Sequence, residues 1–173
     1  YLHIKIYIIS NYFILFLNLM KINSKSQSDT KTIAKKFSLI MKLPLIVGLE
    51  GDLGVGKTEF VRSFIQIFNT KERVKSPTFG LLEEYEFKDI TIVHADLYRI
   101  KENESNYIDF NEYYNDKCII LIEWIGNDKK LLSYADVLIN ISLRKNNADR
   151  QFLISSKSNK GNQVLSDLKQ QIE

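Results

Sequence analysis

Cysteine occurs once in the 173 residues, at Cys118, so no disulfide can form within one chain. Cys118 sits beside an apolar run, which suits a core position better than a catalytic one, and a reduced cytoplasmic setting follows. Histidine occurs twice, and no cluster of Cys and His has zinc-like spacing. Proline occurs twice, at Pro44 and Pro77, so few points stop a helix or strand by proline alone. Net charge is only +3, which neither demands nor excludes a nucleic-acid partner. There is no internal repeat. Length and a hydrophobic content of 45% fit one domain with a real core.

The longest stretch rich in apolar residues and poor in charge is at the start. Tyr1 to Leu19 hold no acid and one lysine. A membrane span needs about 20 mostly apolar residues, and Ser10, Asn11 and Asn18 interrupt this run. A secretory signal needs a basic start and a small-residue cleavage site, which is lacking. Residues 1–19 therefore read as a non-native upstream extension or a disordered apolar leader. Residues 20–173 read as a single domain beginning at Met20, with no membrane attachment.

What the chain does have is Gly51-Asp52-Leu53-Gly54-Val55-Gly56-Lys57-Thr58, matching G-x-x-x-x-G-K-[ST] at every fixed position. Leu45 to Glu50 ahead of it is long enough for one buried strand. Phe60, Val61, Phe64, Ile65 and Phe68 behind it keep an apolar helical face. Strand, glycine loop, helix is the context that separates a phosphate loop from a chance glycine turn. Glycines let backbone N–H groups wrap phosphate oxygens, and the helix N-terminus adds its dipole. Lys57 supplies a charge for the β/γ-phosphates, and the Thr58 hydroxyl can bind Mg²⁺.

Around this loop the pattern is α/β. Ser28 or Asp29 is placed to cap a helix carrying Ile33, Phe37, Ile40 and Met41, which Pro44 ends. Its lysines read as a solvated face. Ser76-Pro77-Thr78 reads as a turn into a strand over Phe79 to Phe87, although its hydroxyls could also sense a γ-phosphate. Lys88-Asp89 is a tight link to Ile90–Ala95, so these two strands are antiparallel and the sheet is mixed. His94 on the second strand reads as a core residue. Asp96 ends that strand, where a phosphate-loop protein places its metal and water chemistry. Arg99 is open to two readings, a phosphate clamp or an ion pair.

Lys101 to Asp116 reads as polar and helical around Tyr107, Ile108, Phe110 and Tyr114. Cys118 to Ile122 then leads into Glu123, an aliphatic strand ending in a carboxylate, which lies near Thr58 if the two strands are neighbours. Trp124 is equally compatible with the cleft and with the core. Gly126 to Leu132 reads as a loop and short helix, Asp136–Leu143 and Arg150–Ser155 as closing strands, and Asn162–Ile172 as a terminal helix. The fold class is a phosphate-loop NTPase-like three-layer α/β fold, with helices flanking a mixed parallel and antiparallel sheet.

These motifs in this order resemble the bacterial TsaE (YjeE) family: the phosphate loop, Ser76-Pro77-Thr78, His94-Ala95-Asp96-Leu97-Tyr98-Arg99, and Glu123-Trp124. The likeness covers roughly Ser28 to Arg150. It implies a weak Mg²⁺-dependent ATPase needed for the threonylcarbamoyl modification of adenosine 37 in tRNA. It implies nucleotide contacts from Gly51, Gly54, Val55, Gly56, Lys57 and Thr58, and an adenine-side segment around Asp29 and Thr32. It implies Thr58 and Glu123 as Mg²⁺ ligands, Asp96 as the group that polarises the attacking water, and a functional role for Trp124. The implied partners are the transferase TsaD and its paralogue TsaB, with tRNA reached through that complex. Two positions depart from the family. Glu59 replaces a second hydroxyl, and a carboxylate so near phosphates must point away or pair with a cation, leaving its backbone N–H to contribute. Ala95 stands where a larger residue is common, which reads as packing. Two other functions share the loop: a small-molecule kinase, for which no arginine-rich lid is visible, and a nucleotide-gated binding module with negligible turnover.

Overall fold

The computed structural model describes residues 19–77, 80–100, 110–144 and 149–172. The strands are β1 (Leu19–Ser24), β2 (Leu45–Glu50), β3 (Leu82–Glu86), β4 (Thr91–Asp96), β5 (Cys118–Glu123), β6 (Val137–Leu143) and β7 (Arg150–Ser156). The helices are α1 (Gln27–Leu39), α2 (Lys57–Ile65), α3 (Phe110–Tyr113), α4 (Lys129–Tyr134) and α5 (Asn159–Ile172). The strands form one sheet in the order β1-β7-β6-β2-β5-β4-β3. β6, β2, β5 and β4 run parallel, and the antiparallel pairs β1–β7, β7–β6 and β3–β4 flank them. The mixed sheet and the antiparallel β3–β4 hairpin are as the short Lys88-Asp89 link requires.

Alternation along the parallel strands divides the core into two layers. Val47, Leu49, Ile119 and Leu121 face α1, α2 and α5, meeting Phe37, Phe60, Phe64 and Leu168. Val93, Ala95, Cys118, Ile120 and Ile122 face the other way, against Leu97, Phe110 and Ile125. Phe37 binds the first layer together, with ring centroids 6.0 Å from Phe60 and 6.3 Å from Phe64. Each such buried ring contributes on the order of 1.5–3 kcal/mol. This packing fixes α2, and with it the phosphate loop, over the carboxyl ends of β2 and β5. Ala95 is fully buried in the second layer, a packing position as its size implies.

Two local expectations change, and one strand is new. Ser26, not Ser28 or Asp29, caps α1: its hydroxyl accepts from Asp29 N at 3.1 Å, and the Asp29 carboxylate accepts from Lys25 N at 2.7 Å. The first bond caps the helix, and the second satisfies the N–H of the residue before the cap. The strand expected from Phe79 starts at Leu82, because Leu81 turns the chain with φ 62°. β1 was not legible, since its half-polar residues Lys21, Asn23 and Ser24 form a strand only by pairing with β7 from Leu19↔Ser155 to Ser24↔Arg150. Of the expected helix over Lys101–Asp116, α3 is the described part. Thr78, Tyr107 and Ile108 lie outside the described residues.

Candidate functional site

The loop between β2 and α2 is built by backbone geometry. Gly51, Gly54 and Gly56 have φ of 130°, 80° and 109°. At Gly51 no other residue fits, since a Cβ there would lie 2.0 Å from the Ile141 carbonyl oxygen. Gly56 occupies the N-cap of α2 and has no side chain to satisfy the first helical N–H groups. Those amides and the helix dipole face the loop's concavity, the arrangement that binds anions. Val55 anchors the loop through its fully buried side chain, and its carbonyl accepts from Arg150 Nε at 2.8 Å. Arg150 lies on the first residue of β7, 95 positions away in sequence, and no local signal marks its role.

Lys57 turns back onto its own loop. Its Nζ donates to the carbonyls of Gly51 at 2.6 Å and Asp52 at 2.9 Å, and lies 3.6 Å from the centre of a Trp124 ring. Burial holds its pKa below the usual lysine value, against the opposing pull of Glu123, Asp96, Glu50 and Asp52. Trp124 is half-buried beside the site rather than in the core. It adopts a left-handed backbone (φ 58°, ψ 37°) just after β5, and its indole packs on Tyr98 at 5.0 Å between centroids. A non-glycine residue in this region costs on the order of 1–3 kcal/mol, and such positions cluster at functional sites.

The acids at the strand ends converge on the same place. β2 and β5 are neighbours, and the Thr58 hydroxyl donates to Glu123 Oε2 at 3.0 Å. Asp96 and Glu123 are register partners on β4 and β5, both buried. Asp96 Oδ1 accepts from Tyr98 N at 3.0 Å, and Oδ2 accepts from the Ser76 hydroxyl. Ser76 therefore contacts a site acid and is not a plain turn residue. His94 is fully buried, and its Nε2 bonds Glu123 Oε1 at 2.9 Å, so it is more than core filler. The signal for it was in the sequence: a strand residue two before Asp96 shares its face.

Glu59 points away from the loop and pairs with Arg62 at 2.5 Å, the cation its position requires. Asp29 and Thr32 lie on α1, apart from the loop. The Asp29 carboxylate is exposed, and backbone donation from Lys25 holds its pKa below the usual carboxylate value. Thr32 lines an open groove of about 240 Å³ between α1 and α2, with Ser28, Lys31, Lys35, Ser63, Gln66 and Ile67. Among the described residues no group of three or more His, Cys, Asp or Glu gathers to hold a metal, and no helix is long and apolar enough to cross a membrane.

A doubly flanked, mixed sheet with a parallel centre and this loop at the carboxyl end of β2 defines a phosphate-loop NTPase-like protein. The sequence profile described as "Threonylcarbamoyl adenosine biosynthesis protein TsaE" matches residues 24–152. The chain belongs to the TsaE family. It is 36% identical over 138 residues to the tRNA threonylcarbamoyladenosine biosynthesis protein TsaE of Haemophilus influenzae, covering 76% of this chain and 86% of that one. It is 42% identical over 124 residues to the protein of the same name from Rickettsia typhi, covering 70% and 85%. The crystal structure of Bacillus subtilis YdiB shares the fold, with a TM-score of 0.76 at 22% identity over 91% of this chain and 99% of that one.

Proposed function

We propose that this chain is a cytoplasmic, Mg²⁺-dependent ATPase, weak alone, that serves formation of threonylcarbamoyladenosine at position 37 of tRNA together with the transferase TsaD and its paralogue TsaB. The observation that carries the reading is the meeting of Thr58, Glu123 and Asp96 at the mouth of a complete phosphate loop. The N–H groups of the loop and of the first turn of α2 hold the triphosphate. Lys57 leaves the Gly51 and Asp52 carbonyls for the phosphate oxygens, a stronger charge-assisted partner. The adenine is assigned to the segment at the start of α1, around Asp29 and Thr32. Trp124 and Tyr98 cover the site from the β5 end.

Mg²⁺ fits the donor set. It takes oxygen ligands in near-octahedral geometry and is commonly held by one or two protein groups with substrate phosphates and water. Adjacent oxygens of an octahedron with metal–oxygen distances of about 2.0–2.1 Å lie roughly 2.9 Å apart. Thr58 Oγ1 and Glu123 Oε2 are 3.0 Å apart. When bound, the ion neutralises charge building on the phosphates. Asp96, oriented by Ser76 and the Tyr98 amide, accepts a hydrogen bond from the attacking water and aligns it.

The test is ATP hydrolysis by the chain alone, then with TsaD, TsaB and tRNA. Slow basal turnover that rises with the partners supports the reading. Turnover indifferent to them, with phosphate transferred to a small acceptor, replaces it with a kinase.

A further inference from the structure

We propose that His94 is the positioning residue that fixes Glu123 as a metal ligand. The inference rests on the Mg²⁺ reading above and deepens it. Glu123 has two carboxylate oxygens with different neighbours. Oε2 meets Thr58 at 3.0 Å, and Oε1 meets His94 Nε2 at 2.9 Å. A carboxylate held at one oxygen only can rotate about its terminal torsion, which is broad and roughly two-fold. Held at both, it presents Oε2 beside the Thr58 hydroxyl in one orientation.

The chemistry of the pair sets the tautomer. Oε1 accepts, so Nε2 carries the hydrogen. Nδ1 has no hydrogen-bond partner among the described residues. A ring nitrogen left there without a partner carries the desolvation cost of an unsatisfied buried polar atom. An apolar residue would fill this fully buried position on β4 without leaving any ring nitrogen unpaired. Among the described residues, the side-chain hydrogen bond His94 gains in return is the one to Glu123. Ligands held by outer partners in this way are common at metal sites, and losing the partner typically weakens the metal about 10–100-fold.

The test measures the Mg²⁺ concentration that half-saturates binding of a fluorescent ADP to the full chain, with nucleotide affinity in EDTA and the melting temperature as controls. His94→Leu should raise the Mg²⁺ requirement about tenfold or more, leaving EDTA binding within about twofold. In His94→Gln the amide nitrogen reaches the place of Nε2, while the shorter His94→Asn falls short. Gln should therefore need less Mg²⁺ than Asn, and this comparison decides the matter if the Leu variant does not fold. Equal requirements in Gln and Asn, or an unchanged requirement in a folded Leu variant, overturn the proposal. Glu123→Ala separates the two levels. If its Mg²⁺ requirement matches the parent's, the metal reading fails. If it rises while His94→Leu does not, the metal reading stands and the positioning role alone falls.

Discussion

Asp96 and Glu123 sit side by side at the carboxyl ends of two neighbouring parallel strands, as register partners. Residues paired this way project from the same face of a sheet. Both acids therefore face the layer that carries α2 and Thr58, and neither faces the second core. The bond from Leu97 N to the Glu123 carbonyl, at 3.0 Å, continues the ladder past the strand end and keeps the two positions level. The acids differ in their neighbours. Glu123 is held by Thr58 and His94, and Asp96 by Ser76 and the Tyr98 amide.

That difference predicts separable phenotypes. Asp96→Asn keeps the shape and the amide bond but loses the charge that aligns water. Nucleotide binding should stay within about threefold, while partner-stimulated hydrolysis falls about 100-fold or more. Ser76→Ala should lower hydrolysis about tenfold by freeing the same carboxylate, in line with one charge-assisted bond. Equilibrium binding and single-turnover hydrolysis measured on the same preparations check both. Loss of binding in Asp96→Asn would make Asp96 a structural or metal-binding group instead.

The glycines of the loop should not be equivalent. Gly51→Ala places a Cβ against the Ile141 carbonyl at a positive φ, and should cost more than about 3 kcal/mol of stability. Gly54→Ala meets nothing within 4 Å and carries only the backbone cost of a positive φ, about 1–2 kcal/mol. Urea denaturation of the two variants gives the ranking, and equal losses would contradict it.

The cap of α1 gives a sharper comparison between near neighbours. Ser26→Ala removes the acceptor for Asp29 N and should cost about 1 kcal/mol. Ser28→Ala lies inside the helix, where Ser28 contributes a carbonyl to Thr32, and should stay within about 0.5 kcal/mol. The order reverses if Ser28 is the true cap.

Stability should decline at alkaline pH. Burial, then the charge of Glu84, pushes the Cys118 thiol from 9.0 up to about 11, and burial, then Glu83, pushes Tyr85 from 10.0 to about 12. Both groups hold their proton more tightly folded than unfolded. Their contribution is therefore complete below about pH 9 and is lost as pH rises towards 11 and 12. Urea midpoints should fall between pH 9 and 11, and iodoacetamide at pH 8.5 should modify Cys118 only after unfolding. Stoichiometric labelling of the folded chain would show that the thiol is not buried in this way.

Much of the site could be read directly. The phosphate loop, Thr58, Asp96 and Glu123 are marked by residue type at strand and helix boundaries, where local pattern and function coincide. The antiparallel β3–β4 pair followed from a link too short for any crossover. Arg150 could not be found this way, since its bond to Val55 depends on how β7 returns to the sheet. Ser26 was missed because an N-cap is chosen by backbone dihedrals, and Ser26, Ser28 and Asp29 offer similar chemistry.

The α/β class, the loop and its chemistry are written in the chain, since each depends on residues close together in it. Long-range packing sets the rest: Trp124 covers Lys57, and His94 reaches Glu123. It also decided that β1 is a strand at all. The two contacts that tie Trp124 and His94 to the site cross between elements and are set by sheet register and helix packing. A one-residue change of register would turn His94 to the opposite face without altering a single local pattern.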